Sequence, residues 1–179
     1  IYTTNYAVAA LKSDGSVLTW GRSTHGGDSS LVAADLTNVK TVTSSSGAFA
    51  ALKNDGTVVS WGGNTYGADS SSLVNDLTNV AEIYATIGAF AALKNDGIVI
   101  TWGNETFGAN SSAVQEELTN IREVVANISS FAAIKNDGSV VAWGDPSKGG
   151  DLGTAASALS SDVVKIYANE NSFAALKVD

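Results

Sequence analysis

Apolar residues in this chain come in short runs that return every 41 residues, and each full run ends in Trp-Gly. The blocks read AVAALKSDGSVLTWG from Ala7, AFAALKNDGTVVSWG from Ala48, AFAALKNDGIVITWG from Ala89 and SFAAIKNDGSVVAWG from Ser130. A shorter SFAALKVD runs from Ser172 to Asp179. Two apolar runs around Asp-Gly predict a β-hairpin, here at Asp14-Gly15, Asp55-Gly56, Asp96-Gly97 and Asp137-Gly138. A two-residue type I′ turn needs positive φ at both central positions, which Asp and Gly tolerate. That register sets Lys53 against Val58, Leu52 against Val59, Ala51 against Ser60 and Ala50 against Trp61. Ala50, Leu52, Val59 and Trp61 then share one face, and Phe49, Ala51, Val58 and Ser60 the other. Both faces are apolar or small, so each hairpin is expected to lie between two neighbours in a stack of layers. The rings expected to fill the layers are Trp20, Trp61, Trp102 and Trp143, with Phe49, Phe90, Phe131 and Phe173.

A third strand is expected before each hairpin, over Val39 to Val42, Val80 to Tyr84, Ile121 to Val125 and Val163 to Tyr167. Between each tryptophan and this strand lies a polar loop with a short helical pattern. Its apolar pairs are Val32 and Leu36, Leu73 and Leu77, Val114 and Leu118, and Ala155 and Leu159, and Ser112 with Gln115 fits a capping box. The expected class is all-β: tandem three-stranded repeats, each with a short helical turn, stacked as a propeller-like arc or solenoid. One repeat domain is expected over residues 1–179, with units at about 1–41, 42–82, 83–123 and 124–165 and a partial unit at 166–179. A chain of 179 residues without methionine, opening on Ile1 and stopping at Asp179 inside a hairpin, reads as a segment of a longer repeat protein.

Composition narrows the functions. The chain has no cysteine, which excludes disulfides, thiolate metal sites and a cysteine nucleophile. Net charge is −8 and no basic stripe is present, which argues against nucleic acid and against anionic lipid. No apolar run approaches the ~20 residues of a membrane span. The abundance of Ser, Thr, Asn, Gly and Ala with little Lys resembles the composition of a secreted bacterial repeat protein.

The run IYATIGAFAALKNDGIVITWGNETFGA, from Ile83 to Ala109, resembles the regulator of chromosome condensation repeat, and the resemblance returns in each unit. It implies a β-propeller, usually of seven four-stranded blades. The family includes exchange factors for a small GTPase, chromatin binders and uncharacterised bacterial proteins. Here the unit is shorter, a helical segment stands where the remaining strand belongs, and the loops and basic face that exchange requires find no match. Only the scaffold is carried over.

His25, Tyr66, Phe107 and Lys148 occupy one loop position in successive units, so stacking would align them along an edge. The aromatics there could stack on a sugar or a partner, or each ring could simply cover its own apolar rim. His25 has no evident partner for acid–base work. Asp28, Asp69 and Asp151, with Asn110, give one carboxylate or amide per unit, short of what calcium needs, and read as Asx turns; no metal and no cofactor is expected. Lys12, Lys53, Lys94, Lys135 and Lys177 could form a basic row, but each flanks its turn and is expected to extend into solvent, neutralised at the turn by Asp14, Asp55, Asp96 and Asp137. Asn104, Asn110 and Asn127 lie in Asn-x-Ser/Thr sequons, relevant only in a eukaryotic secretory pathway.

The expected role is a non-catalytic extracellular or cell-surface module, structural or adhesive. It would assemble end to end with further copies of itself into a filament, or continue into adjacent repeats of a longer array. The alternative is a lectin-like or protein-binding module that uses the repeated loops to take a cell-surface glycan or protein.

Overall fold

The computed structural model describes residues 1–178, so the stop at Asp179 lies outside the described residues. The chain is all-β with only short 3-10 turns between strands. Strands β1 (Tyr2–Thr3), β2 (Ala7–Leu11) and β3 (Val17–Gly21) form the first sheet. The second is β4 (Val39–Ser44), β5 (Ala48–Lys53) and β6 (Val58–Gly62); the third is β7 (Val80–Ala85), β8 (Ala89–Lys94) and β9 (Val99–Gly103). The fourth is β10 (Ile121–Ala126), β11 (Ser130–Lys135) and β12 (Val140–Gly144), and a two-stranded sheet of β13 (Val163–Ala168) and β14 (Phe173–Lys177) follows. Every pairing is antiparallel between consecutive strands, and the strand predicted ahead of each hairpin is present.

The hairpin register differs from the predicted one by a single residue. Phe49 lies opposite Trp61, Ala50 opposite Ser60, Ala51 opposite Val59 and Leu52 opposite Val58. The loop has three residues, Asn54-Asp55-Gly56, closed by Lys53 N–H to the Thr57 carbonyl at 2.9 Å and by Gly56 N–H to the Lys53 carbonyl at 3.0 Å. Gly56 alone takes positive φ, at 79°. This is a type I turn followed by a left-handed glycine, not a type I′ pair. The Asp55 carboxylate selects it by accepting from Thr57 N–H at 3.0 Å and from the Thr57 hydroxyl at 2.6 Å.

One residue of slip exchanges the faces. Phe49, Ala51, Val59 and Trp61 point together toward the first sheet, where they meet Ala7, Ala9, Leu11 and Val17. Ala48, Ala50, Leu52 and Val58 point the other way and receive Phe90, Ala92 and Trp102. The layered arrangement stands, with Phe and Trp as one unit. Phe49 and Trp61 stack at 5.2 Å between centroids, and Phe90–Trp102 and Phe131–Trp143 repeat the contact at 5.2 and 5.3 Å. Trp61, Trp102 and Trp143 are buried, whereas Trp20, on the outer face of the first sheet, is 47% exposed, and Phe173 of the last sheet is half-buried. The same side chain at the same place in the repeat is core or surface according to whether a layer lies in front of it.

The helical pattern resolves into two 3-10 turns per unit, for example Ser23–His25 and Ser30–Val32. The first of each pair was not anticipated. The second delivers Leu36, Leu77 and Leu118 into the junctions between sheets. In the fourth loop Leu152 joins Leu159 there, and Ala155, the predicted partner, is exposed. The predicted Ser112–Gln115 capping box is absent. Ser112 N–H is engaged by Asn110 at 3.1 Å, and the Ser111 hydroxyl donates to Gln115 Oε1 at 3.0 Å.

Candidate functional site

The repeat leaves two edges for recognition: one made of loops beside the tryptophans, one made of the Asp-Gly hairpins. On the loop edge, the turn that joins the first and second strands of each sheet stacks on the next by a backbone hydrogen bond. Asn5 N–H donates to Ser46 O, Ser46 N–H to Ile87 O and Ile87 N–H to Ile128 O, each at 3.0 Å, and Ile128 N–H to Glu170 O at 3.3 Å. Beside this column run the first 3-10 turns. Each ends on a left-handed glycine, and in the first three units its carbonyl accepts from the tryptophan one unit later. Trp61 Nε1 donates to Gly26 O, Trp102 Nε1 to Gly67 O and Trp143 Nε1 to Gly108 O, all at 3.1 Å. Gly26 is required there: at φ 91° a Cβ would lie 2.6 Å from the Phe49 ring.

His25, Tyr66, Phe107 and Lys148 occupy the residue before these glycines and are half-buried. Their backbone is fixed from the neighbouring turns. Thr4, Ser45, Thr86 and Asn127 donate to the carbonyls of His25, Tyr66, Phe107 and Lys148 at 3.0, 2.7, 2.8 and 2.6 Å. Since the backbone carries the anchoring, the side chain is free to differ between units. Tyr6, His25 and Tyr66 form a continuous row, with centroids 4.9 and 5.4 Å apart and Arg22 4.3 Å over Tyr6. The Tyr66 and Phe107 rings lie over Gly47 and Gly88, where a Cβ would collide with them. At the far end Lys148 Nζ donates to Asn171 at 2.5 Å. His25 Nδ1 meets only the Thr24 hydroxyl, at 3.0 Å, which orients the ring without making it a base. The anchoring residues Thr4, Ser45, Thr86 and Asn127 were not singled out from the sequence. Their signal was available, as one hydroxyl or amide recurring at a fixed place in the unit.

The Asp and Asn side chains act on the backbone. Asp28, Asp69, Asn110 and Asp151 each accept from the N–H two residues on, at 2.8–3.1 Å, as Asx turns. The Ser16 hydroxyl holds the Asp14 carboxyl down to about 2, and the same bond from Thr57, Ser71, Ser139 and Ser147 lowers Asp55, Asp69, Asp137 and Asp145. Lys12 lies 3.2 Å from Asp14. Lys53, Lys94 and Lys135 are half-buried rather than fully extended into solvent. Among the described residues no cluster of three His, Asp or Glu side chains converges, and no helix is long and apolar enough to cross a membrane.

Residues 39–68 match the regulator of chromosome condensation (RCC1) repeat. No curated protein matches the chain in sequence. Among solved structures, yeast RCC1 (Prp20) bound to Kap60 superposes with a TM-score of 0.65 at 17% identity, over 98% of this chain and 53% of that one. The ectodomain of the receptor kinase CR4 from Physcomitrella patens gives a TM-score of 0.62 at 18% identity, over 92% and 45%. Prp20p from Saccharomyces cerevisiae, described with its binding properties to Gsp1p and histones, gives 0.54 at 19%, over 79% and 44%. The chain thus spans about half the length of these structures. At these identities the likeness is one of fold.

Proposed function

We propose that this chain, whose repeats are similar to the RCC1 repeat, is a non-catalytic protein-binding scaffold of the extracellular space or cell surface, structural or adhesive in role. Its two ends are covered by further units of the same kind, supplied by adjacent repeats or by another copy of the chain. The observation that carries this reading is the match between the ends. The outer face of the first sheet holds Val8, Ala10, Leu18 and Trp20, the places taken inside the stack by Phe49, Ala51, Val59 and Trp61. The outer face of the last sheet holds Ala174 and Leu176, the places taken inside by Ala50 and Leu52. Leu18, Trp20, Tyr167 and Leu176 are 47–60% exposed. A head-to-tail contact of this sort is heterologous and extends until it closes. The extracellular placement rests on composition and on the fold shared with a receptor-kinase ectodomain.

Light scattering after size exclusion, with electron microscopy, tests the reading. The chain is expected to gain mass with concentration and form end-to-end particles. Leu18→Lys with Trp20→Lys should return monomers of unchanged circular dichroism. A wild-type chain that stays monomeric throughout would overturn the end-to-end contact.

A second reading rests on the Tyr6–His25–Tyr66 row, whose rings form a ledge suited to a sugar or a flat protein surface. Glycan-array binding abolished by Tyr66→Ala with Phe107→Ala is its expected signature. An array that the wild-type chain leaves blank would remove the sugar reading.

A further inference from the structure

The third strand of each three-stranded sheet is an edge strand, and the second unit leaves its edge open in a way the third and fourth units do not. The ladder sets the direction of its backbone. Thr57 O bonds toward β5, as does Gly63 N–H, which donates to the Gly47 carbonyl at 2.9 Å. The alternate residues Val58, Ser60 and Gly62 therefore turn their N–H and C=O outward. In the third and fourth units this edge is partly closed: Val99 N–H donates to Leu118 O at 3.1 Å and Val140 N–H to Leu159 O at 2.9 Å. Among the described residues Val58 N–H has no such partner.

A side chain marks the same place. Ser60 is 9% exposed, and its hydroxyl is buried without a hydrogen-bond partner. The equivalent Thr101 hydroxyl donates to Ala109 O at 2.8 Å and meets Ser111 at 2.9 Å, and Thr19 meets Ser29 at 2.9 Å. Buried hydroxyls are almost always satisfied, so an orphan calls for a reason.

Two hollows of about 470 and 390 Å³ meet at Ser60 and follow β6 from Thr57 to Gly62. One wall comes from the first unit's loop and the other from the second unit's own loop. Leu31 and Val74 stand on the lips, 99% and 65% exposed. Asp28, Asp35 and Asp69 line the walls against a single cation, Lys53.

We propose that the outer edge of β6 is a docking groove for an extended peptide, which adds to the second sheet as a further strand. Main-chain hydrogen bonds to Val58, Ser60 and Gly62 supply affinity, and alternating side chains supply selectivity. Apolar residues of the peptide lie against Leu31 and Val74, and a lysine or arginine faces Asp28, Asp35 and Asp69. The Ser60 hydroxyl gains its missing partner from the incoming backbone. The groove is not repeated in the third and fourth units, where the Leu118 and Leu159 carbonyls take the equivalent amides.

The probe is the capped hexapeptide Lys-Val-Thr-Val-Lys-Val, titrated into ¹⁵N-labelled protein, beside the same peptide N-methylated at alternate residues. Saturable shifts are expected at Val58, Ser60 and Gly62, with slowed amide exchange there and no change at Val99 or Thr101. The N-methylated peptide should bind at least about tenfold more weakly, since it cannot donate to the edge. Leu31→Ser with Val74→Ser, both exposed and so neutral to folding, should weaken the parent peptide by a similar factor. The proposal is overturned if β6 shows no saturable shift, if the N-methylated peptide binds equally, or if the shifts centre on Trp20 and Leu176. That last outcome would instead mark the end faces.

Discussion

At the scale of single residues, two comparisons within the chain separate what a side chain is from where it sits. Trp61 is 4% exposed, stacked on Phe49 and bonded to the Gly26 carbonyl, whereas Trp20 is 47% exposed and has neither contact. Trp61→Ala removes a ring from a packed junction and should cost ~3–5 kcal/mol. Trp20→Ala in the monomeric chain should cost well under half of that, since little packing is lost. Chemical denaturation of both variants at low concentration checks the contrast, and equal losses would contradict the layered arrangement. Ser60 offers the reverse experiment. Replacing it with threonine, as at Thr19 and Thr101, lets the hydroxyl adopt the rotamer that reaches the loop, and threonine suits a strand better. Ser60→Thr is expected to raise stability by about 1 kcal/mol, the usual net worth of one satisfied hydrogen bond. A melting temperature unchanged or lowered by this substitution would mean that the loop at Ser70 cannot supply the partner that Ser29 and Ser111 supply.

The Asx-stabilised turns give the elements a common dependence on acid. Hydrogen bonds from Ser or Thr hydroxyls and amides hold Asp14, Asp55, Asp69, Asp137 and Asp145 below the ordinary carboxylate range, with Asp14 at about 2, and an amide and hydroxyl do the same to Asp28. A depressed folded-state pKa stabilises the fold above the unfolded value, near 4 for Asp, and that stabilisation is lost as pH falls through the folded value. Melting temperature should therefore hold above about pH 4 and fall between pH 4 and 2. Asn at positions 14, 55 and 137 keeps the acceptor but cannot titrate, so the triple Asp→Asn variant should show a flatter profile; a slope as steep as wild type would assign acid sensitivity elsewhere. The same turns show how far the sequence could be read. Period, strand order and layering followed from Trp-Gly and Asp-Gly recurring at fixed places. The loop length did not, because Asp-Gly fits both a two-residue type I′ turn and the second half of a three-residue loop. What decides is the Asp55 carboxylate reaching Thr57 and the Phe49–Trp61 stack, the second of these across the sheet and invisible in a local pattern. Likewise, the alignment of His25 with Tyr66 was legible from the period, but Ser60 was not. An orphaned hydroxyl is defined by what fails to reach it, and here that is a loop whose turn differs only slightly from its neighbours.

For the whole molecule, the main contacts of each sheet are with the one before and the one after, so stability is a sum of unit and junction terms rather than the property of one shared centre. Three of the junctions hold a full Phe–Trp stack, an indole-to-carbonyl bond and a leucine delivered by the preceding loop. The last junction lacks the tryptophan, and its sheet has two strands whose outer face is open. The first sheet is likewise covered on one side only. Such an array frays from its ends, because local opening follows the number of junctions that must break. Amide exchange should accordingly be slowest in β5, β8 and β11, faster in β2, and fastest in β14. Raising the protein concentration distinguishes a frayed end from a joining end: if copies meet head to tail, protection rises in β3 and β14 together, leaving β5, β8 and β11 unchanged. Protection that is uniform across the sheets would show one cooperative unit and refute the nearest-neighbour account. Protection that stays low in β3 and β14 at every concentration would keep that account but leave the end faces to adjacent repeats, with no second copy of the chain covering them.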